Sequence, residues 1–426
     1  MNISISYGQK EISLKLPQSA KIEIVKQPPI PVVSDPTQAV VQALENPFGA
    51  PLHKLAAKYN KALIIVTDFT RILPYPVLLP PVIEELRKAN ISDENISFFI
   101  ASGTHRPMSE TELQQHLGRE ITERYKIHPH EWWKPSCLAS VGVMADGTPI
   151  TVNRLLMDDA VKIGVGIVKP HRNAGWSGGS KIIQPGASGL DTTGATHWQA
   201  AQYKCEEILG VEENPVRREM DEIAAKVDLD FIVNTVQDET HQLAFVAAGD
   251  FIAAHRACVN YARPYYVFPF KEEADIFIAG TSPVQQSIWA MGSGPNWAEM
   301  MVRQGGTLLQ AGRCLRGICP EHPEVEQYGY LPLSKVQSLV SSGELKDLAA
   351  ASHIQHGGEK MYDKNIKVDF FCEDLDKGQI NHMGFGYISD FQESLDKTLE
   401  IYGPKSKIFV YPGYDFTTLI PKAEPV

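Results

Sequence analysis

The feature that most constrains this chain is a recurrence of short, largely apolar runs alternating with helical stretches. Ala62–Val66 is too short for a helix and too continuous for a strand with one wet face, and Ile96–Ile100 and Val161–Val168, interrupted only by Ser97 and by Lys162 with two glycines, are further short strands. They read as parallel strands buried on both faces. Val77–Asn90 reads as a helix between the first two, and Asp191 to about Leu209 as a helix after the third. Asn214-Pro215 supplies a cap and a first turn, after which Val216, Met220, Ile223 and Val227 recur on one helical face. Phe231–Val236 and Leu243–Ala248 are further strands, and Ile3–Tyr7 with Glu11–Leu16 form a hairpin around Gly8. A second set of strands follows at Asp275–Ala279, Thr307–Gln310, Val368–Phe371 and Ile408–Tyr411, with helices at Glu344–Ser352 and Phe391–Tyr402. The pattern predicts two α/β domains with mostly parallel sheets. The boundary falls in the aromatic and Pro-containing stretch 262–274. The expected division is 1–268 and 269–404, with the tail 405–426 packing back on the first domain.

Charge narrows the function. Forty basic against fifty-one acidic side chains give a net charge of −11 over 426 residues. That balance argues against nucleic-acid and anionic-membrane partners, which need clustered positive charge. No apolar run reaches the roughly 18–20 residues of a bilayer span. The first residues alternate polar and apolar and do not read as a secretory signal, so a cytoplasmic location is expected. The six cysteines are scattered without a second close pair to complete a zinc site, which fits reduced thiols.

In an α/β architecture the chemistry sits past the carboxyl ends of the strands. The first strand runs into Asp68-Phe-Thr-Arg71, a carboxylate and a guanidinium suited to an anionic ligand. The second runs into Gly103-Thr-His105-Arg-Pro107. The third is followed by His171, then Gly175-Trp-Ser177-Gly178-Gly179-Ser180-Lys181, Pro185-Gly186 and Gly189, and a helix carrying His197. Five glycines there suit a backbone cradle for an anion. Neither the P-loop spacing nor GxGxxG is present, so the loop is no standard nucleotide site. His128-Pro-His130, before Glu131-Trp-Trp133, reads as a surface turn. His53, His116, His241, His255, His322 and His382 read as structural or solvated.

These three strand-end motifs, in this order and spacing, closely resemble the nickel-pincer lactate racemase family across nearly the whole chain. The resemblance implies two α/β domains with an active site in the cleft between them. It implies a nickel-pincer nucleotide, a pyridinium mononucleotide with two sulfur-bearing arms that grip nickel, covalently attached to Lys181. It implies His197 as the protein's metal ligand, His105 and His171 as catalytic bases, and Asp68 and Arg71 as their support or the substrate-carboxylate site. Ser177, Gly178, Gly179, Ser180, Pro185 and Gly186 match the cofactor-binding segment. The partners implied are a small 2-hydroxy acid and the host enzymes that make the cofactor. Removing hydride from C2 leaves a stable keto acid, whereas removing a proton beside a carboxylate is hard, and two enantiomers call for two bases.

The C-terminal half departs from the lactate-specific motif. Where that motif resembles Tyr-Gln-Ala-x-Lys-Gly, this chain carries Trp289-Ala290-Met291-Gly292-Ser293-Gly294, and a tryptophan expected near His353 and His356 is missing. Gln285, Gln286, Trp289, Ser293, His353 and His356 are therefore candidate substrate contacts for a larger or more polar acid such as an aldonate. The alternatives are a nickel- or nucleotide-binding protein without turnover, a pincer-dependent enzyme with another outcome, and a lactate racemase proper.

Overall fold

The computed structural model describes residues 1–292, 294–413 and 418–424. It divides into two compact units, one of residues 29–199 and 210–265, the other of residues 1–28, 200–209 and 266–426. Each is an α/β unit built on a six-stranded sheet.

In the first unit the strand order is Leu243–Gly249, Phe231–Gln237, Val161–Ile167, Ala62–Thr67, Ile96–Ala101 and Lys126–His128. Only the edge strand Leu243–Gly249 runs antiparallel. The apolar runs behave as their composition requires: Ile64, Val66, Phe98, Ile163 and Val165 are fully buried. Each such side chain contributes about 1.5–3 kcal/mol through removal from water. Gly164 interrupts the bulk of its strand for a reason. A Cβ there would lie 2.9 Å from Ile182 Cγ2, so the glycine lets the turn Gly179–Ile182 settle onto the sheet.

The six-stranded sheet of the second unit is wholly parallel, in the order Gly386–Tyr387, Lys367–Phe371, Val302–Ala311, Ala274–Ala279, Lys407–Tyr411 and Lys21–Ile24. The chain division therefore differs from the sequence expectation. Residues 1–28 belong to this unit, not to the first, because Lys21–Ile24 extends its sheet and hairpin residues Ile5, Tyr7 and Leu14 join its core. The tail is likewise part of it, since Lys407–Tyr411 pairs with Ala274–Ala279. Alternation shows that a segment is a strand; it does not show which sheet completes it. The helix expected from Asp191 to Leu209 ends at Ala200, with a short second turn at Cys205–Ile208.

Candidate active site

Three adjacent strands of the first unit, Val161–Ile167, Ala62–Thr67 and Ile96–Ala101, deliver their loops to one end of the sheet. Sequence order reverses beside Ala62–Thr67, the topological switch point at which α/β sheets bind ligands. The middle loop carries Asp68, one flanking loop His105 and the other His171. Asp68 is 3% exposed, and its Oδ2 lies 2.7 Å from His105 Nδ1. Its Oδ1 accepts from Thr70 Oγ1 at 2.5 Å and Thr70 N at 3.2 Å. The half-buried Arg71 turns back through its main-chain N–H to Asp68 O at 3.1 Å. Burial works against ionisation of Asp68, but the His105 ring, the Thr70 hydroxyl and Arg71 outweigh it and hold the carboxyl below its ordinary range.

The two histidines are held in opposite tautomers. With Asp68 as acceptor, neutral His105 carries its proton on Nδ1 and presents a lone pair at Nε2. His171 Nδ1 instead accepts the Asn173 N–H at 3.1 Å, which places the proton of its neutral ring on Nε2. Burial, followed by the charges of Lys181 and Arg71 and by His197, pushes His171 well below the usual imidazole range. Lys181 is pushed down to about 7 by burial, Arg71 and Arg217, so near neutrality much of it is unprotonated amine. These mutual effects place Asp68, Arg71, His171, Lys181 and His197 in one electrostatic neighbourhood.

The glycine-rich loop has a different logic from an anion cradle. A Cβ at Gly175, Gly178, Gly179, Gly186 or Gly189 would strike the protein's own atoms, from Val211, Asn234, His255, Ile182 and Thr151 respectively. Gly178 and Gly179 also have φ of +79° and +58°. The serines are spent internally too. Ser177 Oγ donates to Ile167 O at 2.8 Å and accepts from Lys169 N at 3.0 Å, while Ser180 Oγ donates to Asp221 Oδ1 at 2.5 Å. Gly179 N donates to Asn234 Oδ1 at 2.8 Å. The loop is thus shaped to present Lys181. Gly186 O accepts from Gly103 N at 2.9 Å, tying Pro185-Gly186 to the His105 loop.

His197 lies in the helix Leu190–Ala200, where its Nδ1 donates to Thr193 O at 2.8 Å. That bond orients the ring and leaves Nε2 as the lone-pair nitrogen, the arrangement metal-binding histidines use. Among the described residues, no group of three or more His, Cys, Asp and Glu is placed to hold a metal ion.

Two residues near this site were read differently in the sequence. Trp132 Nε1 donates to His105 O at 3.3 Å, so the Trp132-Trp133 turn braces the His105 loop. His130 is no surface residue: it is 1% exposed, its Nε2 donates to Ser188 O at 2.9 Å, and burial pushes it down to about 4. A neutral partner fits that setting, and a sequence shows neither contact.

The remaining candidates lie in the second unit. Gln285 is committed to its own loop, accepting from Ser282 N at 3.0 Å and donating to Ala290 O at 3.0 Å, and Gln286 donates to Pro283 O at 3.3 Å. These bonds shape the loop that carries both side chains. Trp289 stacks on His322 and His353 with ring centroids 4.4 and 4.5 Å away. His353 meets the Tyr330 hydroxyl at 2.9 Å and burial keeps it neutral, down to about 3. His322 Nδ1 donates to Asp347 at 2.6 Å. His356 is half-buried on the same helix as His353, and Ser293 lies outside the described residues.

Residues 7–207 match the lactate racemase N-terminal domain family. A lactate racemase of Thermoanaerobacterium thermosaccharolyticum is 30% identical over 322 residues, 74% of this chain and 75% of that protein. One from Lactiplantibacillus plantarum is 26% identical over 385 residues, 88% of this chain and 89% of that protein. The structure of the Thermoanaerobacterium thermosaccharolyticum lactate racemase apoprotein superposes with a TM-score of 0.85 at 26% identity, covering 99% of this chain and all of that one. A crystal structure of a Thermotoga maritima protein shares the fold at a TM-score of 0.72 and 19% identity, over 91% of this chain and 97% of that one. With the strand-end motifs, the fold and this depth of identity in agreement, the chain belongs to the lactate racemase family and is an isomerase.

Proposed function

We propose that this racemase inverts C2 of a 2-hydroxy acid by reversible hydride transfer on a nickel-pincer nucleotide joined to Lys181. The observation that carries the reading is the shared setting of a buried carboxylate paired with an imidazole, a second imidazole of opposite tautomer and a half-buried lysine of lowered basicity. The residues fit the cofactor. Lys181 is a nucleophilic amine near neutral pH, suited to an acyl-type linkage. His197 offers one oriented nitrogen donor, and one is what a metal already held by the cofactor's own arms requires. When bound, the group supplies an electrophilic carbon that accepts hydride from C2 and returns it.

The protein's own part is proton handling and orientation. His105 takes the hydroxyl proton at Nε2, and the Asp68 carboxylate 2.7 Å from Nδ1 stabilises the resulting imidazolium. His171 serves the hydroxyl of the opposite enantiomer at Nε2, a step that uses its other tautomer, with the proton on Nδ1 and the Asn173 N–H contact released. Arg71 is the cation that would pair with the substrate carboxylate, its half-exposed guanidinium next to Asp68 supporting that role. The departures at Trp289 and Ala290 support an acid larger or more polar than lactate, such as an aldonate. The names of both curated relatives favour the second reading, lactate itself.

Protein from a host that makes the cofactor tests this by intact mass and nickel content, with a diastereomer-resolved screen of 2-hydroxy acids. The expected result is an adduct on Lys181, about one nickel per chain and turnover of a longer acid. Nickel without an adduct or turnover would indicate a binding protein. Fast lactate turnover with none of longer acids would overturn the substrate assignment.

A further inference from the structure

Arg217 is fully buried on the helix Pro215–Lys226, three residues past its cap Asn214. The position is costly twice over: a cation is taken out of water, and it sits in the first turn, where the helix dipole disfavours positive charge. Asp221, one turn on, offsets part of that cost. The hydrogen bonds of the guanidinium show what the position provides. Nη1 donates to Gly178 O at 3.2 Å and to Ser180 Oγ at 3.1 Å, and Nη2 donates to Ala174 O at 3.4 Å and to Trp176 O. One planar fork thus grips alternate carbonyls of the loop at 174, 176 and 178 together with the hydroxyl at 180. Lys181 is the next residue, and its N–H donates to Gly178 O at 3.2 Å. A second tier backs the fork. Arg256 Nη2 donates to Asp221 Oδ2 at 3.1 Å and its Nη1 to His255 Nδ1 at 2.7 Å, and His255 Nε2 donates to Ser177 O at 2.9 Å.

We propose that Arg217 is a positioning residue for the Lys181 anchor, acting through the glycine-rich loop that it clamps. This rests on the reading of Lys181 as the cofactor's attachment point. Lysine in its place keeps the charge but cannot reproduce a planar fork that reaches four acceptors. Arg217 also contributes, after burial and Arg71, to the lowered basicity of Lys181. Clamp and charge together keep the amine both aimed and unprotonated.

The test has two readouts. In apoprotein, acetic anhydride is applied across pH and acetylation of Lys181 is followed by peptide mass spectrometry. In protein from the cofactor-making host, adduct occupancy is read by intact mass. Wild type should acetylate with a midpoint near 7. Arg217→Gln should acetylate at Lys181 at least tenfold more slowly at neutral pH, with its midpoint moved upward, and should lose at least tenfold in adduct occupancy. Arg217→Lys should hold the midpoint closer to wild type yet still lose occupancy, and the exposed control Arg218→Gln should match wild type in both. A folded Arg217→Gln with unchanged acetylation profile and unchanged occupancy would overturn the proposal. Should that variant fail to fold, Ser180→Ala removes one contact of the clamp: a smaller change in the same direction supports the assignment, and an unchanged profile overturns it. If wild type itself carries no adduct on Lys181, the anchor reading fails, while the acetylation comparison still decides the role of Arg217.

Discussion

The two sheets share one winding plan and use its singular point in opposite ways. In the first unit the reversal beside Ala62–Thr67 is where Asp68, His105 and His171 gather. In the second the reversal lies between Ala274–Ala279 and Lys407–Tyr411, and backbone fills it. Gly280 N donates to Tyr411 O at 2.9 Å, and hairpin residue Ser6 joins both loops, donating to Pro412 O at 2.8 Å and accepting from Thr281 N at 3.1 Å. A Cβ at Gly280 would overlap Pro412 O and Ser6. One switch point holds buried charge at its strand ends; its counterpart is sealed by close main-chain packing. Winding alone therefore does not mark a site. The side chains at the strand ends do.

That contrast breaks if the first switch point tolerates loss of its charged groups. Lys181→Ala should abolish the adduct and bring racemisation to background, read by intact mass and chiral chromatography. His105→Ala and His171→Ala should each abolish interconversion with nickel content unchanged; substantial racemisation surviving either would end the two-base scheme. Asp68→Asn keeps the shape but not the charge opposite His105, and a loss on the order of 10³–10⁴-fold in kcat is expected by analogy with other carboxylate–imidazole pairs.

The comparison sharpens with pH. Folded Lys181 releases its proton near 7 while an unfolded lysine holds it to about 10.4. Between those values the unfolded chain binds more protons, so raising pH favours the folded apoprotein. Urea titrations should show stability increasing across that window, and the increase should vanish in Lys181→Ala. At the second switch point, Gly280→Ala should destabilise by about 3 kcal/mol in urea through a forced backbone clash, with the pH profile of Lys181 acetylation unmoved. The smallest effect is expected of Gln285→Ala, about 1 kcal/mol from lost loop hydrogen bonds, by the same titration.

Much of this was legible in residue order because buried parallel strands leave short, largely apolar runs, and the motifs after them carry polar and ionisable side chains at fixed offsets. What was hidden is non-local. The hairpin at residues 2–15 alternates correctly yet belongs to the unit formed by the chain's far end. The five loop glycines read as an anion cradle, while four of them answer to a neighbour distant in sequence and Gly186 to Ile182 within the loop itself. Arg217 stands in a charged stretch of an amphipathic helix, and nothing local separates it from Arg218, which is exposed. Gln285 looked available for a ligand because its two partners are main-chain groups, which every residue possesses.

The most direct test of hydride transfer is the fate of the C2 hydrogen. A 2-hydroxy acid accepted by the enzyme, deuterated at C2 and incubated in ordinary water, should emerge inverted with its deuterium largely retained. Inversion accompanied by washout of deuterium to solvent would mean that the hydrogen leaves as a proton, and the account would be wrong.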